Sequence, residues 1–211
     1  MVKSKKFVLI NIISIVIFIV ILLEVIYRGF LINVDYGINN FILLFENNFT
    51  YGLSNILAFI FDTLSIMLIT LVLCIYFWFR YQRKKESIFF ACTMVLTAVI
   101  TLILKETVKR ARPFNALVNE NTFSFPSGHV TASVVFFGLL CYIVLRNSKS
   151  YAIKLITILI SGLFVLLISF SRLFLNVHWF SDILGGLFLG LFISSGCIIV
   201  FEYLWGDQNG K

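Results

Sequence analysis

The sequence predicts an all-α fold: an integral membrane bundle of six transmembrane helices, with an interfacial amphipathic segment between the first two spans. Hydrophobic residues make up 60% of the 211 residues and charged residues only 13%, a balance too apolar for a water-soluble globular domain. The mean hydropathy is +1.01. Apolar runs long enough to cross a bilayer alternate with short basic clusters, which is the layout of a multi-pass membrane protein.

The first span is predicted at residues 7–23. Three lysines within the first six residues precede this apolar run, as they would in a signal peptide. The run is longer than the apolar core of a typical signal peptide, and the stretch from Glu24 to Arg28 contains no small-residue cleavage site. We therefore expect the run to stay in the protein as a transmembrane helix.

Residues 29–61 mix acidic and amide side chains with phenylalanine, isoleucine and leucine. This mixture predicts an amphipathic segment that lies in the membrane interface. The second span begins either at Leu53 or at Asp62. We favour Asp62, because it can cap a helix that runs to about Phe79, whereas a start at Leu53 would bury an acid in hydrocarbon.

Four further spans complete the bundle and set its orientation. They are predicted at residues 88–104, 130–145, 155–170 and 183–203. Six spans place both termini on the same side as the basic turns at residues 80–87 and 146–154. That side holds eleven of the 17 Lys and Arg residues and the opposite side six, so the positive-inside rule makes it cytoplasmic. We expect a multi-pass protein of the plasma membrane whose remaining polar loops face outward.

The net charge of +7 does not indicate a nucleic-acid partner, because the basic residues lie in short clusters between apolar spans. The four cysteines all fall inside apolar runs with no short paired spacing, so neither a disulfide nor a metal site is predicted. The last span carries a small residue at every fourth position, at Gly186, Gly190 and Ser194. This stripe fits a dimer interface or packing within the chain, and we favour packing within the chain.

Three polar groups fall on the outward side, each at the end of a predicted span. They are residues 105–113, 126–129 and 171–182. The chain has only two histidines, His129 and His178, and both lie in these groups together with the cations Lys105, Arg112 and Arg172. Two imidazoles and several cations suit a phosphate ester, because cations neutralise the phosphoryl oxygens while the rings act as nucleophile and acid.

Local spacing predicts how these groups are oriented. If a helix starts near residue 178, His178 and Asp182 are i and i+4 neighbours, and the carboxylate can orient the ring. Arg172 lies off that helical face, so we expect a break near Asn176 and place Arg172 at the end of the preceding helix. Ser127 and the residues after it open a span, where backbone N–H groups bind anions.

Taken singly, each residue has a more ordinary role. A lone histidine at a helix end is usually an interfacial residue, Asp182 suits the start of a helix, and Ser127 and Ser171 are common cap residues. Lys109 and Arg110 are interpreted as surface or headgroup contacts. The ordinary roles do not account for the joint occurrence of these groups on one side of the membrane.

The three groups resemble three known signatures. Residues 105–113 fit KxxxxxxRP, residues 126–129 read PSGH, and residues 171–182 fit SRxxxxxHxxxD. Together they resemble the type-2 phosphatidic acid phosphatase superfamily, the lipid phosphate phosphatases, and in particular its bacterial membrane branch, which includes phosphatidylglycerophosphate and undecaprenyl-diphosphate phosphatases. The resemblance covers about residues 60–204 of a chain that we treat as a single domain over residues 1–211.

The resemblance implies metal-independent hydrolysis of a lipid phosphate through a phosphohistidine, without a cofactor. His178 is the implied nucleophile, Asp182 fixes its far nitrogen, and His129 is the general acid. The implied phosphate-binding residues are Lys105, Arg112, Ser127, Gly128 and Arg172, and Pro113, Pro126 and Ser171 support them. The expected partner is a lipid phosphate or diphosphate in the membrane, with no nucleic acid and no obligatory protein partner.

Two other functions fit the same residues. A non-catalytic lipid or anion carrier would use the same basic pocket, although no charged residue lies securely at the middle of the membrane. A haloperoxidase would need vanadate in that pocket. The sequence does not select among phosphatidylglycerophosphate, phosphatidic acid and undecaprenyl diphosphate, and we expect residues 29–61 and 114–125 to set the choice.

Overall fold

The computed structural model describes residues 2–45, 47–118 and 120–205, which form helices and contain no strand. The helices are α1 (Val2–Ile26), α2 (Leu31–Leu43), α3 (Asn48–Ile60), α4 (Thr63–Arg80), α5 (Lys84–Val108), α6 (Gly128–Asn147), α7 (Tyr151–Phe174) and α8 (Phe180–Trp205). The all-α prediction is confirmed. Lys211, one of the cations used to orient the chain, lies outside the described residues.

The expected spans correspond to helices of this bundle. In the described part of the chain, five helices are long and apolar enough to cross a membrane, namely α1 from Lys5, α5, α6, α7 and α8. The predicted second span corresponds to α4, which meets the same criterion only together with α3, in a pair bent by 47°. Helix α4 begins at Thr63, and the Ile66 N–H donates to the Asp62 carbonyl oxygen at 2.8 Å, so the favoured start at Asp62 is supported.

The segment expected at the membrane interface is two helices. Helix α2 packs against α1, α7 and α8 and buries Asp35, while α3 packs against α7. Helix α3 starts with a capping box, in which Asn47 Oδ1 accepts from the Thr50 N–H at 3.0 Å and Thr50 Oγ1 accepts from the Asn47 N–H at 3.0 Å. The burial of Asp35 brings this segment into the interior near the polar groups.

Helix α8 lies at the centre of the bundle, against α1 on one side and α6 on another. Glycines make the α6 contact close: a Cβ on Gly186 would lie 2.8 Å from the Ser127 carbonyl oxygen, and one on Gly190 would lie 2.7 Å from Val134 Cβ. The small-residue stripe therefore packs within the chain, as favoured from the sequence. Helix α7 is buried mainly near its end, around Ser171 and Arg172, where the polar groups meet.

Candidate active site

His178 lies in a sharp turn between two helices. Helix α7 ends at Phe174, Asn176 adopts a left-handed conformation with φ 52°, and α8 begins at Phe180. Asparagine tolerates this conformation better than most residues, and its side-chain N–H donates to the Asn115 carbonyl oxygen at 3.1 Å. The predicted break near Asn176 is confirmed. The turn places His178 just before α8, with 3% of its surface exposed.

Asp182 faces the His178 ring, as the i, i+4 spacing predicted. His178 Nδ1 lies 3.4 Å from Asp182 Oδ2, and the Trp179 N–H donates to the same carboxylate oxygen at 2.9 Å. The Ser124 hydroxyl donates to it as well. We assign Nδ1–H as the donor to the carboxylate, which leaves the Nε2 lone pair on the other side of the ring.

Burial lowers the pKa of His178 from 6.5 to about 3, against the opposite effect of Asp182. The imidazole is therefore neutral near neutral pH, and its Nε2 lone pair is available to a nucleophilic reaction. Arg112 Nη1 lies 3.4 Å from this nitrogen. A cation beside a neutral nucleophile is a suitable place for an anionic substrate group.

The first motif joins the end of α5 to the loop that follows. Lys105 is buried at the end of α5 and its ammonium group donates to the Phe123 carbonyl oxygen. Arg112 donates to the carbonyl oxygens of Val177 at 2.6 Å and Thr122 at 2.8 Å, and burial lowers its pKa. Pro113 is buried directly after it. These contacts fix both cations by their neighbours while leaving further N–H donors.

The second motif begins α6. A cis peptide bond joins Phe125 to Pro126, and α6 starts at Gly128 with Ser127 as its N-cap residue. The Ser127 N–H donates to the Asp182 carbonyl oxygen at 3.1 Å, which ties this turn to α8. A Cβ on Gly128 would be at ordinary contact distance, 3.7 Å from Thr101 Cγ2, so the neighbouring helices do not require a glycine at this position.

The second histidine contacts the third cation. His129 Nε2 lies 3.4 Å from Arg172 Nη1 and 3.5 Å from Asp62 Oδ1. Arg172 is 2% exposed, and its Nη2 lies 2.6 Å from Glu120 Oε1. The other Glu120 oxygen lies 3.6 Å from Arg112 Nη2. A continuous chain of contacts therefore runs from His178 to His129 through Arg112, Glu120 and Arg172.

Two buried polar atoms of this region lack a hydrogen-bond partner among the described residues. They are Ser127 Oγ and Arg172 Nε. Buried polar groups are nearly always paired, so unpaired donors beside a cluster of cations indicate a site for an anionic ligand. The Ser171 hydroxyl, by contrast, donates to the Ile168 carbonyl oxygen at 2.7 Å within its own helix, and its contact is structural.

Two cavities open beside the site. One of about 320 Å³ lies between α1, α2 and the loop after α5, and Arg110, Arg112 and Trp179 line part of it. The other, of about 170 Å³, lies between α4, α5 and α6 and has Lys105 and Gly128 at its border among apolar side chains. Among the described residues, no group of three or more His, Cys, Asp or Glu side chains is arranged to hold a metal ion.

Sequence reasoning was wrong about Arg110. It was expected at the surface, but its Nη1 lies 2.6 Å from Asp182 Oδ1 and its Nη2 lies 2.6 Å from Asp35 Oδ2. The one feature of the sequence that could have placed Arg110 near the site is its position two residues before Arg112. Asp35 and Glu120 were also missed, because neither belongs to a motif. Lys109 ends α5 in a left-handed conformation and is exposed, as expected.

The fold and the site define a class: a helical membrane protein in which two histidines and three cations lie close together. The family model of the PAP2 superfamily matches residues 86–205, more than half of the 211 residues, and the chain belongs to this superfamily.

Two curated relatives illustrate the similarity. The chain is 32% identical over 120 residues to phosphatidylglycerophosphatase B of Bacillus subtilis (strain 168), covering 54% of this chain and 58% of that protein. It is 31% identical over 114 residues to an undecaprenyl-diphosphatase of Sulfolobus acidocaldarius, covering 48% of this chain and 50% of that one. The matched stretch thus spans between half and three fifths of each relative.

Solved structures show the same fold. The crystal structure of a transmembrane PAP2 type phosphatidylglycerolphosphate phosphatase from Bacillus subtilis superposes with a TM-score of 0.85 at 20% identity, covering 95% of this chain and 98% of that one. The crystal structure of Aquifex aeolicus LpxE gives a TM-score of 0.55 at 20% identity, covering 79% and 93%. The helical membrane architecture is therefore shared across the whole described bundle.

Proposed function

We propose that the protein is a lipid phosphate phosphatase that removes a terminal phosphate from a membrane lipid through a phosphohistidine on His178. One observation carries the proposal: the chain of contacts that joins His178 to His129 through Arg112, Glu120 and Arg172. The Glu120 carboxylate lies between two guanidinium groups, and a phosphate group would find the same donors there. Membership of the PAP2 superfamily and the relatives' names support the same class.

The first half of the reaction transfers the phosphoryl group to the protein. The Nε2 lone pair of His178 attacks phosphorus, an N–P bond forms, and the bond from phosphorus to the lipid oxygen breaks. His129 donates a proton to that oxygen, so the lipid leaves as an alcohol or as a lower phosphate. Asp182, facing Nδ1 at 3.4 Å, stabilises the positive charge that the His178 ring acquires.

The second half releases the phosphate. His129, now neutral, takes a proton from water, and the water oxygen attacks phosphorus as the N–P bond breaks. Lys105, Arg112 and Arg172 neutralise the charge on the phosphoryl oxygens in both halves, and Ser127 and the Gly128 N–H donate to them. The sequence of steps returns both imidazoles to their starting states and requires no cofactor.

The substrate is a lipid whose phosphate reaches this site from the bilayer. Phosphatidylglycerophosphate, phosphatidic acid and undecaprenyl diphosphate each present such a phosphate, and the first and third are named in the relatives. The apolar cavity that ends at Lys105 offers an acyl or prenyl chain a route beside the phosphate. Measuring the turnover of each of these three lipids by the purified protein shows which headgroup it accepts.

We propose an orientation in the plasma membrane with both termini in the cytoplasm and the site on the outer face, from the excess of basic residues on one side. Labelling intact cells with a membrane-impermeant thiol reagent tests it. With the four native cysteines replaced by serine, a cysteine introduced at Lys109 reacts from outside and one at Lys85 does not. The reverse pattern contradicts the orientation.

The decisive experiment measures phosphate release by the purified protein from each lipid with a chelator present. We expect turnover by the unaltered protein, none by His178→Ala, and full turnover by Lys109→Asn, a matched loss of an exposed cation from the same region. Acid-quenching with radiolabelled substrate should trap a phosphorylated protein that His178→Ala does not form. A carrier would form no phosphorylated protein, and full turnover by His178→Ala would overturn the mechanism.

A further inference from the structure

Arg110 lies between two buried carboxylates of different helices. Its Nη2 lies 2.6 Å from Asp35 Oδ2 on α2 and its Nη1 lies 2.6 Å from Asp182 Oδ1 on α8. Asp35 is 1% exposed and Asp182 is fully buried. The guanidinium carbon also lies 5.6 Å from the centre of the Trp179 ring. Arg110 is therefore held from three directions, by two charge-assisted hydrogen bonds and by one cation–π contact.

Asp35 is fixed just as firmly to α8. Its Oδ1 accepts from the Ser181 N–H at 2.8 Å, and its Oδ2 accepts from the Ser181 hydroxyl at 2.7 Å. Tyr36, the next residue of α2, packs its ring edge-on against Trp179 with centroids 5.1 Å apart. Helix α2 thus contacts Trp179 and Ser181, the residues directly after His178 and directly before Asp182.

The charges of this cluster show what Asp35 contributes. Arg110 paired with Asp182 alone would sum to zero, and a neutralised carboxylate stabilises an imidazolium poorly. Asp35 adds a second negative charge on the far side of Arg110, so that Asp35, Arg110 and Asp182 together carry a net charge of −1. Asp182 is the member of this cluster that faces His178, and the charge of the cluster acts on the ring in a medium of low dielectric constant.

We propose that Asp35 and Arg110 are positioning residues for the reaction of His178: they hold Asp182 against the imidazole and leave one net negative charge beside it. The proposal rests on the proposed phosphatase function. As the N–P bond forms, positive charge develops on the His178 ring, and the net charge of the cluster lowers the free energy of that state. Both residues act through Asp182 rather than on the phosphoryl group.

Among the described residues, three charged groups act on the His178 ring, and the variants change the charge on only one side of it. Asp182 faces Nδ1 from α8, Arg112 faces Nε2 from the loop, and Lys105 acts on the ring from α5. The two cations and burial lower the pKa of the ring, and Asp182 raises it. Changes at Asp35 or Arg110 alter only the electrostatic field on the side of the ring that Asp182 faces.

Three variants separate charge from structure. Asp35→Asn keeps an oxygen that accepts from the Ser181 N–H but makes the cluster neutral, and we expect kcat to fall by about 10- to 100-fold with KM nearly unchanged. Arg110→Gln gives the cluster a charge of −2, so the acid limb of kcat/KM moves up by about one to three pH units. The double variant returns to −1, and we expect its acid limb to return as well.

Glu106→Gln is the matched control, since Glu106 is an exposed acid on α5 one residue from Lys105, and it should leave both the rate and the pH profile unchanged. A purely structural role predicts the opposite pattern. In that case the losses of activity in the two single variants add in the double variant, and the acid limb of kcat/KM does not follow the net charge of the cluster. If Arg110→Gln does not fold, Asp35→Asn decides by itself, and an unchanged kcat overturns the proposal.

A second measurement needs no turnover. The chain has two histidines, so His129→Gln leaves His178 as the single imidazole for nitrogen-15 NMR of histidine-labelled protein carrying a histidine-free tag. We expect this ring to stay neutral between about pH 4 and 7, to titrate in that range in Arg110→Gln, and to be neutral again in the double variant. If the titration pattern is seen but the protein with both histidines has no phosphatase activity, only the proposed function is refuted. If that protein is fully active but the pattern is missing, only the positioning role of Asp35 and Arg110 is refuted.

Discussion

Replacing Gly186 by alanine should displace the turn at Ser127, which we propose binds phosphate, without removing any charged or polar group. An alanine Cβ at this position would lie 2.8 Å from the Ser127 carbonyl oxygen and 3.2 Å from Val130 Cβ. Ordinary contacts to a Cβ begin near 3.4 Å, so the α6 backbone at Ser127 must move by about 0.6 Å. That backbone oxygen belongs to Ser127, the N-cap residue of α6, whose buried hydroxyl has no hydrogen-bond partner among the described residues and lies in the proposed anion site.

Two magnitudes follow from this displacement. Forcing an extra methyl group into a close-packed contact costs about 1 to 3 kcal/mol, which lowers the thermal midpoint by about 2 to 4 °C for each kcal/mol in a chain of this size. A misplacement of about 1 Å at reacting groups lowers rates roughly 100-fold, so a shift of about 0.6 Å should lower kcat/KM about 10-fold.

Two other glycines separate the loss of stability from the loss of activity. Gly190→Ala clashes equally, with Val134 Cβ at 2.7 Å, but one helical turn farther from the anion site. It should lower the thermal midpoint similarly and leave kcat/KM nearly unchanged. Gly162 on α7 has no atom within 4 Å of a built Cβ, so Gly162→Ala should raise stability by about 0.5 to 1 kcal/mol.

Thermal unfolding in detergent and phosphate release from a lipid substrate, measured on the unaltered protein and the three variants, provide the comparison. If Gly186→Ala matches the unaltered protein in both midpoint and kcat/KM, the close approach of α6 and α8 is wrong. If it loses only stability, as Gly190→Ala should, then Ser127 does not help to hold the phosphate.

Two further predictions concern the charges of the site. Because burial lowers the pKa of His178 from 6.5 to about 3, the unfolded chain binds a proton that the folded protein does not, and stability falls as the pH drops below 6.5. His178→Gln should therefore flatten the dependence of the thermal midpoint on pH between about 6.5 and 4, and an unaltered slope would argue against a buried neutral ring. Glu120→Gln removes the negative charge that lies 2.6 Å from the buried Arg172, so it should lower the midpoint while increasing the stabilisation produced by orthovanadate; a smaller stabilisation would place the anion elsewhere.

The motifs were visible in the sequence because each one is local. Fixed spacing puts His178 four residues before Asp182, and the left-handed Asn176 lies where the expected break falls. The close packing at Gly186 was also readable, since small residues at every fourth position share one face of a helix. The boundaries of the spans were less accurate, because α5 continues beyond the apolar run to carry Lys105 on its last turn.

The sequence by itself determined the helical membrane bundle and the three motifs, because length of apolar runs and short spacings are properties of neighbouring residues. Only the tertiary structure decided that Arg110 is an internal residue, since its partners Asp35 and Asp182 lie 75 and 72 residues away along the chain. The same holds for Glu120, which meets Arg172 across 52 residues. A charged side chain in a loop is ordinarily solvated, and only the packing of α2 and α8 around this loop shows which cations are buried and which acids pair with them.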